Sequence, residues 1–235
     1  MFLKKLSLIM FLLLLGTQVY SQNPQTIMEC MNNALGKQYQ KDIKTQKIEM
    51  SMSMMGMDMP MTMITTMPNK YRVEMSIMGM NIVTVVTPDD CFMIQNGNVS
   101  EFPAGQCEKA KEQMDEQNMF TQLGKTKKGD KIEYDGTEVV NGINCNKLKV
   151  TSEDGNVGYF FIGAEDCLMH KFTAKMNMGS GEQDVEMIVK EYKTKNNMKI
   201  PHEMSIMSDG EEMGKMSIKN IEFNIPIDDK LYKRP

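Results

Sequence analysis

Residues 48–63 read IEMSMSMMGMDMPMTM, and this stretch decides the fold. Ile48, Met50, Met52 and Met54 alternate with Glu49, Ser51 and Ser53. After Gly56, Met57, Met59, Met61 and Met63 alternate with Asp58, Pro60 and Thr62. A period of two puts every second side chain on the same face of a strand. With Gly56 and Asp58 suited to a turn, the stretch predicts a β-hairpin that carries both Met rows on one face. Methionine is not a favoured strand residue, so the alternation carries this assignment and propensity does not.

Working outward, the even period continues. Strands are predicted at 70–78, 80–87, 91–95, 139–140, 147–151, 159–162, 168–176, 185–193, 200–207 and 215–223, with Gly, Pro, Asn or Asp between them. Asp154-Gly155-Asn156 and Asp209-Gly210 mark hairpin turns, and Gly179-Ser180-Gly181 suits a third. Helical spacing occurs in two places. Asn23-Pro24 opens one helix, in which Ile27, Met31, Ala34 and Leu35 repeat down to a stop at Gly36. The second spans 108–123 and ends at Gly124. The resulting class is α+β, mainly β, with a strongly curved antiparallel sheet. Two helices would cover its concave apolar face through Ile27, Met31, Leu35, Met114 and Met119.

The first residues have a different character. Lys4 and Lys5 precede the apolar run LSLIMFLLLLG at 6–16, and Val19 and Ser21 stand at the −3 and −1 positions of a cleavage site. The run is shorter than the roughly 20 residues that a membrane span requires. It predicts a signal peptide over 1–21 and one domain over 22–235 that is periplasmic or otherwise exported. No linker divides the mature part.

Composition narrows the function. The chain has 41% hydrophobic and 25% charged residues, as folded proteins do. A net charge of −4 offers no basic surface for a phosphate backbone, so nucleic acid is not an expected partner. Only two His, His170 and His202, are present, and no G-x-S-x-G, H-E-x-x-H or phosphate-binding Gly loop occurs. The acidic pairs Asp89-Asp90 and Asp228-Asp229 lie in turn-like sequence, where adjacent side chains diverge. No enzyme is predicted.

The five Cys do not form C-x-x-C, and their odd number leaves one thiol over. Spacing suggests pairing Cys145 with Cys167, across a strand–turn–strand stretch, and Cys91 with Cys107, around a closed loop. Cys30 is then the odd thiol.

Several short segments resemble the periplasmic outer-membrane lipoprotein carrier and lipoprotein-sorting family. Met67-Pro68-Asn69-Lys70-Tyr71-Arg72-Val73-Glu74 is similar to the family's Pro-Asn/Asp-x-aromatic/Arg segment at the start of an inner strand. VTVVTPDDCFMIQNG at 83–97 is similar to its next hairpin, and FNIPIDDKLY at 223–232 to its closing tail. The resemblance implies an incomplete barrel whose helices form a lid over a cavity for acyl chains. It implies a lipid or lipoprotein cargo and membrane-bound donor and acceptor proteins, with the carrier acting as a monomer. In that family an Arg precedes the Pro; here Met67 stands there, and the nearest Arg is Arg72.

The chain holds 28 Met and no Trp. Thioether side chains are unbranched and polarizable, so a Met-lined sheet face adapts to ligands of varied shape. Met52, Met54, Met59, Met61, Met75 and Phe92 are the candidate cavity residues, and no cofactor is expected. A second reading is soft-metal binding, because thioethers select Cu(I). Met50, Met52, Met54, Met57, Met59 and Met61 would be its copper ligands, since alternate residues on a strand lie about 6.5–7 Å apart. A third reading keeps the Met as a packed core with no ligand.

Overall fold

The computed structural model describes residues 23–54, 56–103, 105–114, 126, 129–177 and 182–235. The signal segment at 1–21 with its cleavage site, Met119 and the Gly179-Ser180-Gly181 turn lie outside these.

Alternating strands joined by tight turns pair with their neighbours, and the chain does this twice. The first meander runs through β1 (Thr45–Met54), β2 (Met57–Thr66), β3 (Lys70–Ile77), β4 (Met80–Val86), β5 (Cys91–Gln95) and β6 (Asn98–Glu101). The second runs through β7 (Lys131–Val140), β8 (Ile143–Thr151), β9 (Val157–Gly163), β10 (Met169–Asn177), β11 (Glu182–Lys195), β12 (Met198–Ser208) and β13 (Glu211–Phe223). Antiparallel pairing of β1 with β13 joins them into one thirteen-stranded sheet with β6 and β7 at its edges. The sheet is curved and does not close into a barrel: the antiparallel sheet follows the alternation, and its incomplete closure is what the family resemblance implied.

Two α-helices lie among the described residues. α1 (Pro24–Ala34) starts where expected: Asn23 Oδ1 accepts from the Gln25 amide at 2.9 Å, and Pro24 occupies the first turn. Gly36 follows with φ 74°, and its missing side chain lets the chain pass close to the Asn197 carbonyl on the β11–β12 turn. α2 (Gln106–Met114) begins two residues earlier than predicted.

Buried clusters show which face each residue serves. Ile27, Met28 and Met31 of α1, with Leu35 at its C-terminal cap, pack on Leu148, Ile162, Leu168 and Met169. Tyr192 joins this cluster to a second one built from Ile48, Met50, Met63, Met198, Ile200, Met204, Met216 and Ile218. Both therefore lie on the inner, helix-bearing face. The Cys91–Cys107 disulfide ties α2 to the same face, because Cys91 pairs with Val86, which pairs with Tyr71 of the inner cluster. On the outer face, Ile64, Val85 and Phe92 are covered by Ile227, Leu231 and Tyr232 of the C-terminal tail.

The disulfide reading is half corrected. Cys91 does pair with Cys107, but Cys167 pairs with Cys30, and Cys145 is the free thiol. Strand parity is the cause. Cys145 packs with Val140 and Phe161, while the adjacent Ile162 belongs to the helix-bearing face. Cys145 thus points outward, away from α1, which brings Cys30 to the β9–β10 turn. Two strand readings also change. β6 was not anticipated, and β7 starts at Lys131, well before the short strand predicted at 139–140.

Candidate functional site

The inner face of the first meander is a field of thioethers. Register sets Met52 opposite Met59, Met54 opposite Met57, and Met50 opposite Met61, which in turn lies opposite Met75. Every one of these strands alternates, so all seven side chains share a face. On the far side of β1, Met52 faces Met216, and Met216 faces Met204.

Exposure is graded along the hairpin. Met57, next to the turn, is 43% exposed; Met59 and Met61 are half-buried; Met63 is 6% exposed. Met50 is likewise buried, whereas Met52, Met54 and Met75 are half-buried. The deep end packs against Ile48, Ile218 and Ile221. The shallow end offers apolar side chains that the described residues leave partly uncovered. Such a surface can accept an apolar molecule at little desolvation cost.

Five of the six candidate cavity residues, Met52, Met54, Met59, Met61 and Met75, are brought together here. Phe92 is not. It is fully buried on the outer face, beneath Tyr232 and within 5.1 Å of the Arg234 guanidinium. The six residues of the copper reading, Met50 to Met61, do lie on one face as three facing pairs. Sequence reasoning left Met80, Ile82 and Met93 aside. Register places Met80 opposite Ile77, and Ile82 between Met75 and Gln95, extending the apolar strip towards β5.

Away from the Ile64–Phe92 cluster, the outer face of the same strands is mostly polar. Two open troughs of ≈ 550 and ≈ 610 Å³ run along it, the first lined by Ser51, Ser53, Ser205 and Ser217, the second mixed, with Glu49, Thr62, Arg72 and Glu74 beside Pro60, Val83, Met61 and Met75. Arg72 is held in place there. Its Nε donates to Glu74 at 2.6 Å and its Nη1 to the Leu231 carbonyl at 2.7 Å, so it anchors the C-terminal tail. The acidic pairs are structural in the same sense. Asp90 accepts from Arg234, which holds its carboxyl below the usual range, and Asp229 accepts from Lys70 with the same effect. Asp228 caps the 3-10 turn Asp229–Tyr232 by accepting from the Lys230 amide. His202 sits 3.7 Å from Glu191, and burial lowers its pKa.

No family model matches this chain, and no curated protein matches it in sequence. Solved structures do. A DUF1329 family protein from Desulfovibrio piger superposes with a TM-score of 0.55 at 11% identity, over 89% of this chain and 97% of that one. A proposed outer membrane lipoprotein-sorting protein domain from Vibrio parahaemolyticus gives 0.53 at 10% identity, with the same shares. A LolA superfamily protein from Nitrosomonas europaea gives 0.52 at 11% identity, again over 89% and 97%. At such identities the likeness is one of architecture, and it covers nearly the whole of each chain. The chain has the fold of the LolA-like lipoprotein-sorting proteins.

Proposed function

We propose that this protein is an exported, non-enzymatic carrier or binding protein that holds a lipidic or acylated ligand on its Met-lined inner face. One observation carries the reading: Met52, Met54, Met59, Met61 and Met75 form a continuous apolar strip, half-buried, beside the core and on the face that bears both helices. Thioether chains reshape readily around acyl chains of differing length and branching. Two disulfides support folding in an oxidising compartment such as the periplasm, reached after cleavage of the leader near Ser21. The fold similarity to lipoprotein-sorting proteins supports a lipid or lipoprotein cargo. A monomeric carrier that exchanges this cargo with membrane-bound donor and acceptor proteins completes the proposal. The family's Arg is replaced by Met67, and Arg72 is engaged by the tail, so the cargo contact would be apolar.

A second reading rests on the facing pairs Met52–Met59, Met54–Met57 and Met50–Met61, which bring six soft ligands to one face and suit Cu(I). Purifying the mature protein from its native compartment, with mass spectrometry and metal analysis on the same sample, separates the readings. Near-stoichiometric lipid supports the carrier. Copper at a similar level, lost when the six Met become Leu, supports the metal site, since Leu keeps apolar volume and removes the thioether. Neither, with no binding of fluorescent acyl probes, makes the strip core packing alone.

A further inference from the structure

The accessible reduced sulfur among the described residues is methionine. Four of the five Cys are in disulfides, and the fifth, Cys145, is fully buried. The methionines form three tiers of exposure. Met78, Met57 and Met80 are 82%, 43% and 39% exposed at the hairpin tips. Met52, Met54, Met59, Met61 and Met75 are half-buried, and Met50, Met63, Met204 and Met216 are 4–6% exposed in the core.

Met78 shows how far the chain departs from the usual choice at a tip. Asn96-Gly97, Asn141-Gly142, Asn196-Asn197 and Asp209-Gly210 form two-residue turns with both φ angles positive, led by Asn or Asp, which tolerate that conformation. Met78-Gly79 makes the same turn with Met at φ 51°. A thioether thus occupies the most open point of the hairpin, although an Asn fits the backbone better.

We propose that the middle tier, Met52, Met54, Met59, Met61 and Met75, is an oxidation-sensitive switch that converts the inner face from apolar to polar. This rests on the carrier reading for its consequence, ligand release. The oxidant is a hydroperoxide. Its terminal oxygen is transferred to sulfur, forming one S–O bond as the O–O bond breaks. Sulfur loses two electrons, and the hydroperoxide proton ends on the departing oxygen, giving water or an alcohol. The product, methionine sulfoxide, is polar and reducible by methionine sulfoxide reductases. No Leu, Ile or Phe in these positions could undergo this change. Because Met52 faces Met59 and Met61 faces Met75, sulfoxides form side by side on the surface that would meet the acyl chain. The core tier is shielded, and Ile48, Ile218 and Ile221 with two disulfides keep the sheet intact.

Hydrogen peroxide titration of the mature protein tests this, with peptide mass mapping, circular dichroism and a fluorescent fatty-acyl probe read on each sample. Met78, Met57 and Met80 should oxidise first, the middle tier next and the core tier last. Probe affinity should fall by about tenfold or more as the middle tier oxidises, since an unpaired polar group then faces the ligand, and should return on enzymatic reduction. The circular dichroism spectrum should not change. A variant with all five residues changed to Leu has no sulfur to oxidise on this surface, so whatever probe affinity it has should stay constant through the peroxide titration. Equal oxidation rates for the middle and core tiers, or unchanged affinity after the middle tier oxidises, would overturn the proposal. If that Leu variant loses its fold, Met59→Leu with Met61→Leu replaces it, and a loss of affinity on oxidation as large as that of the unsubstituted protein counts against the switch. An untreated protein that binds no probe refutes the carrier reading and removes the ligand-release step. The oxidation order then still decides, by itself, whether the tiers differ in access.

Discussion

Cys30, on the first helix, is bonded to Cys167, in the turn between β9 and β10, across 137 residues of chain. The bond fastens α1 to the sheet where Ile27, Met31 and Leu35 pack on Leu148 and Ile162. The Cys91–Cys107 bond closes a loop of only 16 residues. Cross-links that close longer loops restrict the unfolded chain more. Cys30→Ser with Cys167→Ser should lower stability by about 2–5 kcal/mol, and by roughly 1–2 kcal/mol more than Cys91→Ser with Cys107→Ser. Thermal or urea unfolding of the two double variants measures the difference.

Met78→Asn should stabilise the protein. Met78 is 82% exposed, so its side chain contributes little packing, while its positive φ is unfavourable for a residue other than Gly, Asn or Asp. A gain of about 1 kcal/mol is expected from relief of that conformation. A lower melting temperature would mean that Met78 makes a contact that matters.

Burial pushes the Cys145 thiol up to about 11 and the Tyr71 phenol up to about 12. Both groups are neutral when protonated, so the folded chain keeps protons that the unfolded chain gives up above about pH 8.5 for the thiol and 10 for the phenol. The folded state then binds more protons, and stability must fall as pH rises from about 9 towards 12. Below about pH 8 neither group contributes any slope. Urea midpoints against pH should show this decline, and Cys145→Ala should remove its portion between about 9 and 11. Native Cys145 should resist iodoacetamide at pH 8 and react once urea unfolds the chain.

Tyr232→Ala should cost about 3 kcal/mol, because the ring is buried over Ile64, Val85 and Phe92. Tyr232→Phe should cost about 1 kcal/mol, for the hydrogen bond at 3.0 Å to the Thr66 hydroxyl. Arg234→Ala, which removes solvent-exposed pairs with Asp90 and Glu101, should change stability far less than Tyr232→Ala. Urea denaturation of the three variants gives the ranking.

Local patterns sufficed for much of this architecture. The alternation from Ile48 to Met63 placed the Met rows on one face because side-chain direction in a strand depends only on parity. Asn23-Pro24 and Gly36 bounded α1 because caps act within a turn of the helix end. The tertiary structure decided the rest. β6 is exposed throughout, so no apolar pattern announced it, and Gly136 bulges β7 out of strict alternation where its pairing slips between Tyr134 and Thr137. Cys91 and Phe92 are buried on opposite faces of one strand, so periodicity could not say which of them faced the Met strip. The answer came from the C-terminal tail, which crosses the sheet more than a hundred residues later and covers Phe92. Cys30 found Cys167 for a similar reason: parity turned Cys145 outward, and the docking of α1 supplied the partner. Parity is written in neighbouring residues, but the identity of what covers each face depends on contacts between segments far apart in the chain.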